Sequence, residues 1–205
     1  NPSMQLLYMP SSPYVRKVCV AAIEAGVDDL IERVDANISD KTVDIRADNP
    51  LGKVPVLRLK NGDVIFDSIV ICEFLDSMND DVRLFPAYGP RRWEVLTHHA
   101  LADGIIDATW LRRREGLRKP EQRSQGAIKH HAKAIAEGLD AFEAALDEGG
   151  TAPTIGTITL AVALGYLDFR APDDDWRAGR PGLTEWYAAF SERQSMRSTE
   201  PRASA

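Results

Sequence analysis

The chain has 205 residues, 44% of them apolar and 27% charged, and carries a net charge of -6. That length holds one large domain or two small ones with a real core, and the acidic balance argues against a nucleic-acid partner. No apolar run approaches the about 20 residues of a membrane span, and no signal-like leader opens the chain.

Met4 reads as the natural start, with Asn1-Pro2-Ser3 an added remnant. Residues 6–9 (Leu6, Leu7, Tyr8, Met9) form a short apolar strand ended by Pro10. Val15, Val18, Cys19, Ala22 and Ile23 recur at helical spacing and predict a helix with one buried stripe, stopped by Gly26. Residues 31–35 read as a second strand, and 39–48 as a polar, weakly helical stretch. Residues 54–59 and 64–66 flank Asn61-Gly62, a strong hairpin signal because both turn residues tolerate positive φ. Ser68 is expected to cap a helix reaching about residue 79. The order βαβαββα, with its last two strands antiparallel, is a thioredoxin-like α/β arrangement.

Residues 81–90, rich in Asp, Pro and Gly, read as a linker between a domain at 4–80 and an all-α domain at 91–205. Helical patterns run over 91–116, 122–146, 154–169 and 182–193; the third is almost wholly apolar and belongs at the centre. The polar tail after Ser195 is expected to be loose. Arg112-Arg113-Arg114 with Arg118 and Lys119 reads as a solvated helix end. The two cysteines, Cys19 and Cys72, fall in helical apolar patterns and read as buried free thiols, which fits a reducing, cytoplasmic setting.

Three junctions carry the chemistry. In Ser11-Ser12-Pro13, proline suits the first helical position, so Ser12 reads as the N-cap. Ser11, one step earlier, faces the positive helix end, where an anion is favoured and a thiol's pKa would be lowered. In Gly52-Lys53-Val54-Pro55, the proline marks an edge or bend just inside an apolar strand. In Asp67-Ser68, an acid and a hydroxyl stand side by side at a helix start. On the first long helix, Asp103 and Asp107 lie four apart on one face with Trp110 beyond them; a solvated or interdomain face is their ordinary explanation. His98-His99 and His130-His131 lack metal-ligand spacing, and no metal is expected.

Together, Ser12-Pro13-Tyr14-Val15-Arg16-Lys17, the run Asn49-Pro50-Leu51-Gly52-Lys53-Val54-Pro55-Val56-Leu57 and Asp67-Ser68 resemble the glutathione transferase superfamily, in particular bacterial serine-type members. The likeness runs from Leu6 to about Arg193. It implies a cytosolic two-domain protein that activates the thiol of glutathione, its co-substrate, for attack on a small apolar electrophile. Theta- and zeta-type relatives place the active serine at the position of Ser11, whereas omega-type relatives place a cysteine at that of Ser12. Both serines are therefore candidates, and the missing cysteine removes the nucleophile of thiol-disulfide exchange. By resemblance Pro55 is cis and turns the Val54 N–H and C=O toward the cysteinyl backbone of glutathione, with Lys53 close by. Asp67 and Ser68 would hold its γ-glutamyl end. For the glycyl carboxylate Lys41 is a candidate cation by position alone, with no motif behind it. Met9, Asp103, Asp107 and Trp110 are the candidates for the electrophile side.

The family also pairs as two-fold dimers. Apolar Val95, Leu96, Leu101 and Ile105 would support such a homodimer, with Asp103 reaching the neighbour's glutathione amino group. Thr157 stands where the family has an acid three residues after Thr154, so the capping of that buried helix should be weakened. Two other readings keep glutathione but change the outcome: a carrier or interaction protein with little transferase activity, and a glutathione-dependent reductase or dehalogenase.

Overall fold

A strand–helix–strand unit opens the fold: β1 (Met4–Tyr8), α1 (Pro13–Glu24) and β2 (Ile31–Asp35). The structure is a computed structural model that describes residues 3–36, 43–146 and 152–203; Lys41 and the start of the weakly helical stretch lie outside them. A one-turn helix α2 (Ile45–Asp48), the strands β3 (Val56–Arg58) and β4 (Val64–Ile65), and α3 (Ser68–Ser77) complete the first unit. The sheet order is β2-β1-β3-β4, with β1 parallel to β2 and antiparallel to β3, and β3 antiparallel to β4. Then follow α4 (Pro90–Leu117), α5 (Gln125–Ala144), α6 (Ile155–Arg170), α7 (Pro181–Phe190) and α8 (Gln194–Arg197). This is a small mixed four-stranded sheet domain followed by helices.

The central helix is α6, as its composition requires. Every residue from Ile158 to Leu167 is buried, and each buried leucine there contributes about 2 kcal/mol of burial free energy. It closes tightly on α4 because Gly156 has no Cβ; a methyl group there would come 3.0 Å from the Val95 carbonyl oxygen. The sheet alternates faces: Leu6 joins the main core, while Leu7 meets Val56 and Ala36 in a small cluster on the other side.

Four sequence expectations change here. The helix α1 is buried on nearly every side, including Arg16, Lys17, Val20 and Ala21, because α3, α6 and α8 all pack on it. At the hairpin only Gly62 takes positive φ (93°); Asn61 instead accepts the Asp63 N–H through its side chain (2.9 Å), making a longer turn. Capping of α6 is not weakened. Thr157 Oγ1 accepts the Thr154 N–H at 2.8 Å and Thr154 Oγ1 accepts the Thr157 N–H at 3.2 Å, so a threonine hydroxyl completes the reciprocal cap that an acid would make. Nor is the tail after Ser195 loose: Ser195 and Met196 are buried and form part of α8.

Val95 and Ile105 belong to the core and are not available to a partner, whereas Leu96 and Leu101 pack against the core and stay half-buried. The Arg112–Arg114 cluster is engaged at both ends. Arg112 pairs with Asp174 at 2.7 Å, and Arg114 lies over the Trp110 ring at 4.8 Å. Cys19 and Cys72 are buried and unpaired, and burial pushes their thiols up to about 11 and about 12.

Candidate functional site

The first junction is a tight corner. After β1 the chain turns so that the Met9 carbonyl accepts the Ser12 N–H (3.1 Å), leaving half-buried Ser11 at the bend. Ser12 is the N-cap of α1, with extended backbone angles and its Oγ accepting the Val15 N–H at 3.3 Å, and Pro13 is the first helical residue. The oxygen of Ser12 is thus aimed into the helix. Half-buried Met9 forms the corner itself.

The second junction is shaped by Asn49, a buried residue that sequence reasoning quoted without assigning a role. Its side chain donates to the Lys53 carbonyl (3.0 Å) and accepts the Leu51 N–H (3.0 Å), folding 49–53 back on itself. Gly52 adopts φ 64°, and a Cβ there would strike the Arg46 guanidinium. The Val54–Pro55 peptide is cis, and so is Phe66–Asp67. Val54 lies just before the paired part of β3, and among the described residues nothing hydrogen-bonds its N–H or C=O. Lys53 is exposed, Pro55 buried.

At the third junction the expected capping is shifted by one residue. Asp67 occupies the N-cap position without a side-chain cap bond, and Ser68 is the first helical residue, 5% exposed. The Ile71 N–H reaches the Asp67 carbonyl at 3.0 Å, but among the described residues the N–H groups of Ser68, Ile69 and Val70 bond to nothing. A helix start of this kind is a donor nest with a positive dipole end, suited to a carboxylate.

Opposite these junctions α4 presents Asp103 and Asp107, and both are met by α1. Tyr14 donates to Asp107 Oδ1 in a very short contact. Burial first, and then Asp107, raise the Tyr14 hydroxyl pKa far above its ordinary value. Burial also raises Asp107, against the pull of the Tyr14 hydrogen bond and of the nearby Lys53 charge. Lys17, 0% exposed, donates to His99 Nε2 (2.9 Å) and to Asp103 Oδ1 (3.0 Å), and Asp103 is 29% exposed. A buried ammonium requires such partners. Burial and the Lys17 charge lower His99 to about 4, and Asp67 lies near enough for its charge to act on the same ring. Two polar residues three apart on α1, Tyr14 and Lys17, therefore face two acids four apart on α4. That matched spacing was a signal in the sequence, but the apolar stripe of α1 concealed it.

Trp110, further along α4, is partly exposed under Arg114. The structure thus brings Ser11, Ser12 and Tyr14 into one region with Lys53, Asp107, Asp67, His99 and Asp103. An open cavity of about 530 Å³ between the end of α1 and α8, bounded by Asp28, Arg33 and Gln194, includes none of these residues. Among the described residues no group of three His, Cys, Asp or Glu side chains is placed to hold a metal ion. Nor is any described helix long and apolar enough to cross a membrane.

Residues 11–78 match the profile of the glutathione S-transferase N-terminal domain, and residues 125–189 that of the C-terminal domain. The uncharacterized GST-like protein YibF of Escherichia coli K12 is 34% identical over 203 residues, covering 97% of this chain and 98% of its own. A glutathione transferase family member from Pseudomonas fluorescens Pf-5, solved with bound glutathione, superposes with a TM-score of 0.90 at 40% identity, covering 98% of this chain and 100% of that one. A second Pf-5 structure, with bound S-(propanoic acid)-glutathione, gives 0.89 at 42% identity over the same shares. With a mixed sheet followed by helices, both domain profiles matched and a full-length relative at 34% identity, the chain belongs to the glutathione S-transferase family.

Proposed function

We propose that the protein is a glutathione transferase in which Ser11 holds the glutathione thiolate while a small electrophile is attacked. The observation that carries this reading is the peptide edge of Val54, unpaired among the described residues, together with an open α3 N-terminus. An extended peptide takes such an edge by backbone pairing, and its γ-glutamyl carboxylate fits the N–H nest at Ser68. The cleft also offers Asp67 to the amino group, as an acceptor. Residues 4–80 would form the glutathione site and 91–205 the electrophile side, joined by the linker 81–90. A Pseudomonas relative with an S-substituted glutathione bound supports a site that accommodates a group on sulfur.

The step needs little from the protein. The thiol gives its proton to water; the sulfur lone pair forms the S–C bond; the leaving group departs with its electron pair. Stabilising the thiolate falls to the positive end of α1 and a donated hydrogen bond from a serine hydroxyl. Ser12 Oγ accepts the Val15 N–H and keeps its own O–H to donate, so Ser11 is placed first on the resemblance to theta- and zeta-type members, with Ser12 the alternative. On the electrophile side Met9, Tyr14, Asp107 and Trp110 are the candidate surface, with Asp103 nearer the glutamyl end. Because Asp103 is paired with Lys17 of its own chain, a reach to a neighbour's ligand would have to use its other oxygen.

The test is conjugation of glutathione to an aryl halide. Ser11→Ala should lower kcat by about 100-fold, the effect of losing one preorganised donor, about 3 kcal/mol, and raise the pKa of the bound thiol. A silent Ser11→Ala with an inactive Ser12→Ala would move the role to Ser12. Tight glutathione binding without turnover of halides, epoxides or enones would instead make the protein a carrier, and oxidised glutathione among the products would make it a reductase.

A further inference from the structure

Residues 193–202 run back along α1, antiparallel to it, and end on the loop that carries Ser11. The contacts follow in order. Arg193 pairs with Glu24 at 2.7 and 2.9 Å, and Ser195 Oγ donates to the same carboxylate at 2.7 Å. Half a helix earlier, buried Arg16 donates to the Met196 carbonyl (3.1 Å) and to Thr199 Oγ1 (3.2 Å). Before α1 begins, the Arg202 N–H donates to the Pro10 carbonyl at 3.2 Å. Gly165 of α6 makes room for this arrangement, since a Cβ there would stand 2.5 Å from an Arg16 guanidinium nitrogen.

Pro10 sits between the end of β1 and Ser11, so its carbonyl ties that corner to a segment from outside the first domain. We infer that residues 193–202 are a positioning strap: through Arg16 and the Pro10 carbonyl they fix the angle at which the corner presents the Ser11 hydroxyl. This inference rests on the proposed role of Ser11. The strap touches no substrate. It acts by limiting the backbone freedom of residues 10–12 beyond what the turn from Met9 to Ser12 imposes. A hydroxyl displaced by a fraction of an ångström loses much of its value to a developing or stored charge.

One atom can be tested. Arg202→Pro deletes the N–H that reaches Pro10, while Arg202→Ala keeps it; the Arg202 side chain is exposed, so neither change disturbs the core. Amide exchange at Ser11 and Ser12 in the free protein should quicken about tenfold in Arg202→Pro and stay unchanged in Arg202→Ala. In conjugation assays the proline variant should lose about fivefold in kcat, with a raised pKa of the bound thiol and a glutathione KM within twofold of wild type. Equal exchange rates in the two variants would overturn the strap. A wild-type protein without conjugating activity would count against the proposed function, and the exchange comparison would still decide the strap.

Discussion

His99 is the residue whose titration should be visible in stability. Its folded pKa is held at about 4, against an ordinary value of 6.5, by burial and by Lys17 on α1, with Asp103 on α4 and Asp67 before α3 acting the other way. A group more easily protonated when unfolded makes the unfolded state bind more protons, so stability falls as pH drops through the window from about 6.5 to about 4. Urea unfolding across that window should show the loss, and His99→Gln should flatten it. Glu24 marks a separate limb. Burial pushes its carboxyl up, but the bonds from Arg193 and Ser195 outweigh this and hold it below its ordinary value of 4.5; its stabilisation is lost as pH falls from there. The junction residues Ser12, Pro13 and Pro55 were legible in the sequence because capping and proline geometry are local physics. Lys17 and Asn49 were not, since their partners are either a helix from the other half of the chain or the backbone of a loop with no fixed turn type.

At the level of elements, boundaries set by local chemistry were read well, and those set by packing less so. The strand 31–35 agrees with β2 to the residue; β3 is shorter than its apolar run because the ladder starts only after Pro55. The capping box of α6 shows why an amino-acid code is coarser than the bond it stands for: a threonine hydroxyl accepts the Thr154 N–H as an acid would. Thr157→Ala should therefore cost about 1 kcal/mol, the usual value of a lost cap, seen as a lower urea midpoint with unchanged m-value. Thr157→Asp, which restores an acceptor, should fall within about 0.5 kcal/mol of wild type. The tail was misread for a related reason. Its polar composition suggested solvent, yet its hydroxyls, carbonyls and arginines are spent on α1.

For the whole molecule, the proposed homodimer would use the elements the sequence suggested, the helix after Ser68 and the helix from about Trp93, with exposed residues on and beside them. Val70 on α3, Tyr88 before α4 and Trp93 on its first turn are 48%, 86% and 65% exposed. Large apolar groups left outside are candidates for an interaction face, and one such face suffices for two-fold pairing. Sedimentation at micromolar concentration should give a species at twice the 22.7 kDa chain mass. Trp93→Glu should return the single-chain mass, whereas a wild-type species already at that mass would remove the dimer.

The contact between Pro10 and Arg202 also has a temporal meaning. A ribosome adding about 5–20 residues per second delivers Arg202 roughly 10 to 40 s after Pro10. The sheet domain can gather around β1 during that interval, but the corner before α1 waits until Arg202 has left the exit tunnel. A nascent chain halted after α7 would carry both serines, both prolines and the α3 N-terminus, and still lack the final hold on Ser11.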